Sequence, residues 1–130
     1  MRTVITFGTF DVFHVGHLNI LRRAKSLGDR LVVGVSSDAL NFKKKERYPV
    51  YAQHDRLSII QGIRYVDDVF LEESLEQKAE YIKRYSADVL VMGDDWKGRF
   101  DSLSSLANVV YLERTPSVST TSVIEVIKTI

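Results

Sequence analysis

Two histidines, His14 and His17, stand either side of Gly16 in the stretch GTFDVFHVGH at residues 8–17. Three positions apart on a helix, two imidazoles share a face and can offer ring N–H donors to one phosphate. Gly16 removes a side chain where the backbone passes close to something bulky, and a helix start there adds unpaired N–H groups that favour an anion. Such a pair can also simply cap the helix or hold a metal. Zinc is the poorer fit, because it takes three or four ligands, the chain has no cysteine, and His54 is the only other histidine.

Three further segments supply complementary chemistry. VLVMGDDW ends on Gly93, Asp94, Asp95 and Trp96, which suits an aromatic base or its ribose and otherwise reads as an acidic turn with a half-buried indole. ERTPSVSTT joins Arg114 and Thr115 to the hydroxyls of Ser119, Thr120 and Thr121 at a helix start, a second anion site that is compatible with N-capping. The basic run Lys43, Lys44, Lys45 and Arg47 lies after a strand and before a helix expected to begin near His54. Alone it would be a solvated face; beside two anion sites it adds the cations that polyphosphate chemistry needs. Transfer of this kind is catalysed by positioning and charge neutralisation, and an attacking phosphate monoester, whose second pKa is about 6, needs no general base.

The elements that must position these groups are legible as short apolar runs, TVITF, RLVVGVS, DDVFL, DVLVMG and NVVYL, bounded by Gly, Asp, Asn or Ser. They read as strands buried on both faces. Between them, Leu18, Leu21, Ala24 and Leu27, then Leu57, Ile60, Ile63 and Arg64, then Leu75, Ala79, Ile82 and Tyr85 follow helical spacing, and STTSVIEVIKTI reads as a capped last helix. This alternation predicts an α/β fold, a doubly wound Rossmann-like parallel sheet with helices on both faces, in a single domain over residues 1–130. Such sheets bind ligands beyond the carboxyl ends of the strands, where the histidine motif falls.

Composition narrows the classes further. The 130 residues are 45% hydrophobic and 27% charged, with formal net charge +1, which fits one ordinary core and no extended nucleic-acid or membrane surface. Without cysteine there is no disulfide framework and no thiolate chemistry. MRTVITFG is too short an apolar run for a signal segment, and a cytoplasmic location is expected.

Taken together, GTFDVFHVGH, IRYVD, MGDDW and RTPSVSTT resemble, in order and along essentially the whole chain, the motifs of the cytidylyltransferase family within the HxGH nucleotidyltransferase superfamily. The motif set looks most like the members that make CDP-glycerol and pyrophosphate from CTP and glycerol 3-phosphate for teichoic acid synthesis. The resemblance implies a CTP phosphate site at Thr9, Phe10, His14, Gly16 and His17, completed by Arg114, Thr115, Ser119, Thr120 and Thr121. Arg64, Gly93, Asp95 and Trp96 are implied near the nucleotide. Lys44, Lys45 and, through Glu76-Gln77-Lys78, Lys78 are implied to contact the acceptor phosphate, with Lys44 joining His14 and His17 in catalysis; Lys44, Lys45 and Arg47 compete for two family positions. Mg²⁺ is implied on the CTP phosphates, and a homodimer is the implied assembly. Leu75 stands where such members carry Trp, and Ser117 after Pro116 where they carry Gly. Another phosphorylated alcohol (phosphoethanolamine, phosphocholine, a sugar-alcohol phosphate), ATP as donor, and a non-catalytic nucleotide-binding module are the competing expectations.

Overall fold

Neighbouring residues of each central strand feed opposite cores, as strand geometry requires of a sheet covered on both faces. Val4, Leu31, Val33, Val89 and Val91 pack with Leu21, Ala24 and Ile60 on one side, whereas Ile5, Phe7, Val32, Leu90 and Met92 pack with Tyr81 and Ile82 on the other. The computed structural model describes residues 1–116 and 118–130. In chain order the elements are β1 (Thr3–Gly8), α1 (Val15–Lys25), β2 (Arg30–Ser36), α2 (Asp38–Lys45), α3 (Gln53–Gln61), β3 (Asp68–Glu72), α4 (Lys78–Arg84), β4 (Val89–Gly93), β5 (Asn108–Leu112) and α5 (Thr120–Thr129). Two 3-10 turns, Asp94–Trp96 and Asp101–Ser105, separate β4 from β5.

The strand order is β3-β2-β1-β4-β5 and every pairing is parallel. From β1 the chain winds outward through β2 and β3, then returns to the other side of β1 for β4 and β5. Winding therefore reverses between β1 and β4, and the loops leaving these two strands part there to open a crevice. Gly34 lets Phe7 and Phe70 meet across the sheet, since a Cβ on it would lie 2.6 and 2.7 Å from their rings. No helix among the described residues is long and apolar enough to cross a membrane.

The expected doubly wound sheet is the one observed, with local corrections. The basic run, expected only between a strand and a helix, is mostly helical itself: Lys43, Lys44 and Lys45 form the last turn of α2, which Ser37 starts by accepting the Leu40 amide on its hydroxyl at 3.1 Å. α3 stops at Gln61, so Ile63 and Arg64 lie beyond it, and α4 starts at Lys78, so Leu75 precedes it. Ser117, the departure noted beside Pro116, lies outside the described residues.

Candidate active site

A cleft of about 540 Å³ opens at the carboxyl ends of β1 and β4. The β1–α1 turn reaches it through backbone in the left-handed region at Phe10 (φ 55°) and Val12 (φ 46°). α1 then starts with an N-cap built from the two histidines. His14 Nδ1 accepts the Gly16 amide at 3.0 Å, and His17 Nδ1 accepts the His14 amide at 3.2 Å. Capping and phosphate recognition are therefore not alternatives. With Nδ1 accepting, each neutral ring carries its proton on Nε2, which remains a directed donor. The rings stack with centroids 3.8 Å apart, and His17 is flanked by Phe10 and Phe13 at 5.5 and 5.4 Å. Gly16 makes this possible, because a Cβ there would sit 2.8 Å from Cε1 of His14.

Burial lowers the pKa of both imidazoles. His17 is taken down to about 4 by burial first and the neighbouring His14 second, against an opposing pull from Asp11. At neutral pH the pair donates hydrogen bonds without adding charge. A group whose folded-state pKa is lowered leaves the unfolded chain to take the proton first, so stability is complete above pH 6.5 and falls between there and about pH 4. Urea titrations across that range are expected to show a falling midpoint, with a shallower fall in His17→Gln.

The far wall is the start of α5. Ser119 caps it, accepting the Ser122 amide at 3.1 Å, and Thr120 Oγ1 donates to the carbonyl of Asp11 at 2.9 Å, joining this helix to the histidine turn. Two helix N-termini thus line one cleft, each with amides that favour an anion. Thr115 accepts from Asn19 at 3.0 Å, and Arg114 lies 3.5 Å from Asp95 with both side chains mostly exposed. Gly93, Asp94, Asp95 and the half-buried Trp96 complete this side, the indole packing on Phe100 at 5.5 Å.

Of the residues expected in the site, Thr9, Phe10, His14, Gly16, His17, Lys45, Gly93, Asp95, Trp96, Arg114, Thr115, Ser119, Thr120 and Thr121 line the cleft. Three do not. Lys44 points into a separate cavity of about 400 Å³ with Leu75 and Glu76, because successive residues on a helix are turned about 100° apart and Lys45 takes the cleft-facing position. Lys78 is buried, paired to Glu72 with its Nζ 4.1 Å from the Phe7 ring centroid, so it stands behind the wall of the cleft. Arg64 is exposed in the α3–β3 connection, which leads to the amino ends of the strands and hence away from the cleft. Burial lowers the pKa of Lys44 and Lys78 alike, with Glu72 opposing.

Sequence reasoning overlooked the polar groups that hold these walls. Asn41 accepts from Thr9 Oγ1 at 2.8 Å while donating to the carbonyls of Ser36 and Ser37. Arg56, wholly buried, binds main chain from three segments and the carboxylate of Asp38. Asp11, inside the histidine motif but given no role there, receives the Val50 and Tyr51 amides. Among the described residues, no group of three or more His, Cys, Asp or Glu could hold a metal ion.

The pattern of the cytidylyltransferase-like family matches residues 5–126. A glycerol-3-phosphate cytidylyltransferase of Bacillus subtilis is 49% identical over 96% of this chain and 96% of its own. An FAD synthase of Pyrococcus abyssi is 44% identical over 71% of this chain and 62% of its own. In three dimensions, a lipopolysaccharide core biosynthesis protein from Thermoplasma volcanium superposes with a TM-score of 0.79, covering 88% of this chain and 98% of that one at 26% identity.

Proposed function

The chain belongs to the cytidylyltransferase-like family, and from that premise we propose that it transfers CMP from CTP to glycerol 3-phosphate, forming CDP-glycerol and releasing pyrophosphate. One observation carries the reading: two Nε2–H donors, two helix N-termini and the cations Lys45, Arg47 and Arg114 line a single cleft. That arrangement is suited to a triphosphate being attacked by a second phosphate.

An oxygen of the acceptor phosphate attacks the α-phosphorus in line, the bond from that phosphorus to the bridging oxygen breaks, and the electron pair leaves with pyrophosphate. His14 and His17 donate to oxygens on which charge accumulates, and the α5 N-terminus with Arg114, Thr115, Ser119, Thr120 and Thr121 holds the departing end. Trp96, Gly93 and Asp95 flank the nucleoside. Lys45 and Arg47, rather than Lys44 and Lys78, are the cations that face the acceptor phosphate. Mg²⁺, a hard cation that keeps waters and takes substrate phosphate oxygens, would be carried on the CTP phosphates and neutralise their charge. The product fits teichoic acid synthesis in the cytoplasm by one nucleotidyltransferase domain, acting as a homodimer.

Pyrophosphate release from CTP, ATP, UTP and GTP, each with Mg²⁺, against glycerol 3-phosphate, phosphoethanolamine, phosphocholine and sugar-alcohol phosphates tests the assignment. Release with CTP and glycerol 3-phosphate is expected. Release only with another pair would reassign the substrates, and nucleotide binding without any release would make the chain a binding module.

A further inference from the structure

The segment between α2 and α3 brings Arg47, Tyr48, Pro49 and Val50 to the cleft, yet it contains no regular structure of its own. It leaves α2 at Glu46, whose φ of 57° turns the chain sharply. What then fixes its position is Asp11. Oδ2 accepts the Val50 amide at 2.7 Å, and Oδ1 accepts the Tyr51 amide at 2.9 Å and the Val12 amide at 3.1 Å. Arg56 holds the same segment from its other side through the Tyr51 carbonyl at 2.9 Å.

We propose that Asp11 is a positioning residue, whose carboxylate fastens the cation-bearing strap at residues 46–51 to the histidine turn, and that it is not a metal ligand. Both carboxylate oxygens already accept main-chain amides. The turn that aims them is held in a conformation a β-branched residue rarely adopts, with Val12 at φ 46°, which persists where the surroundings enforce it. The Asp11 carbonyl meanwhile accepts Thr120 Oγ1, so one residue ties the strap to the start of α5. Arg47 of the strap and the anion-binding helix start thereby keep a fixed spacing, set by a residue whose carboxylate is engaged by main-chain amides.

The consequence for catalysis rests on the reading in the preceding subsection, whereas the consequence for the main chain does not. In Asp11→Asn the amide has one acceptor oxygen and turns an NH₂ toward the remaining donors; Asp11→Ala removes both oxygens. Hydrogen exchange on each protein without substrates is expected to speed the Val50 and Tyr51 amides about tenfold or more, with Leu21 and Leu90 in the core unchanged. If the Ala variant does not fold, the Asn variant decides. In turnover, the acceptor KM rises about tenfold or more while the Mg²⁺ concentration for half-maximal rate stays at the parent value. Parent-like protection of the two amides in a folded variant would overturn the proposal, as would a raised Mg²⁺ requirement with an unchanged acceptor KM. An inactive parent would defeat the functional reading alone, since amide exchange still tests the strap.

Discussion

His17→Asn is expected to yield a folded protein whose kcat is lower by about 10²–10³, the usual cost of removing one directed donor from a site where charge develops. Asparagine places its carbonyl oxygen near the position of Nδ1, where it can keep accepting the His14 amide, but nothing remains at the position of Nε2. His17→Gln reverses the arrangement, presenting an amide N–H near the Nε2 position while loosening the cap. Gln is therefore expected to be the more active of the two and Asn the better folded. Steady-state pyrophosphate release, with melting curves on the same samples, checks both rankings. Since burial holds His17 neutral down to about pH 4, the parent's kcat should show no loss attributable to this imidazole between pH 8 and pH 6. A fall in kcat as the pH is raised from 6 to 8 that disappears in His17→Gln would mean that the ring acts as an acid or a cation, against the neutral-donor role.

The strands and the histidine pair were legible because they depend on local pattern. Runs such as RLVVGVS are apolar on both faces, and the structure splits them residue by residue between two cores. Helical phase around the basic run was harder to read. DALNFKKK has only a weakly apolar face, so its helix rests on the Ser37 cap and on the reciprocal hydrogen bonds between Asp38 and Gln53, a pairing across fifteen positions. Once those residues are helical, Lys44 and Lys45 must face apart, which the residue types alone do not reveal. Arg64 followed the apolar spacing of α3, but Gly62 closes that helix by donating to the carbonyls of Ser58 and Ile59, and the residues beyond it turn toward β3. Asp11 and Arg56 were illegible for a further reason: most of their partners are main-chain atoms, which carry no residue-type signal, and the carboxylate that Arg56 meets, Asp38, lies eighteen positions away.

Arg56→Leu is expected to destabilise the protein by about 3–5 kcal/mol, the combined cost of leaving several buried carbonyls without a donor at about 1–3 kcal/mol each, with the partly exposed Asp38 adding little. The guanidinium is 0% exposed and uses all three of its nitrogens. Nε donates to the Tyr51 carbonyl at 2.9 Å, one Nη to the carbonyls of Thr9 and Ser36 at 2.9 and 2.7 Å, and the other to Asp38 at 2.7 Å. Leucine fills part of the space but leaves three carbonyls and a carboxylate oxygen without this donor, and each buried group so stranded carries its own desolvation cost. For a chain of this size the melting temperature should fall by roughly 10–20 °C. Arg56→Lys keeps the charge but not the planar fork, so an ammonium can satisfy some of these acceptors and should recover only part of the loss. The damage is also directional. Thr9 opens the β1–α1 turn, Ser36 ends β2, Asp38 starts α2 and Tyr51 closes the strap, so four segments that support the cleft lose their common pin. Saturating CTP, which binds only the assembled cleft in the proposed reaction, should then raise the melting temperature of the variant. A loss below about 1 kcal/mol, within the range of a typical surface pair, would show that water replaces the guanidinium and that the walls hold without it.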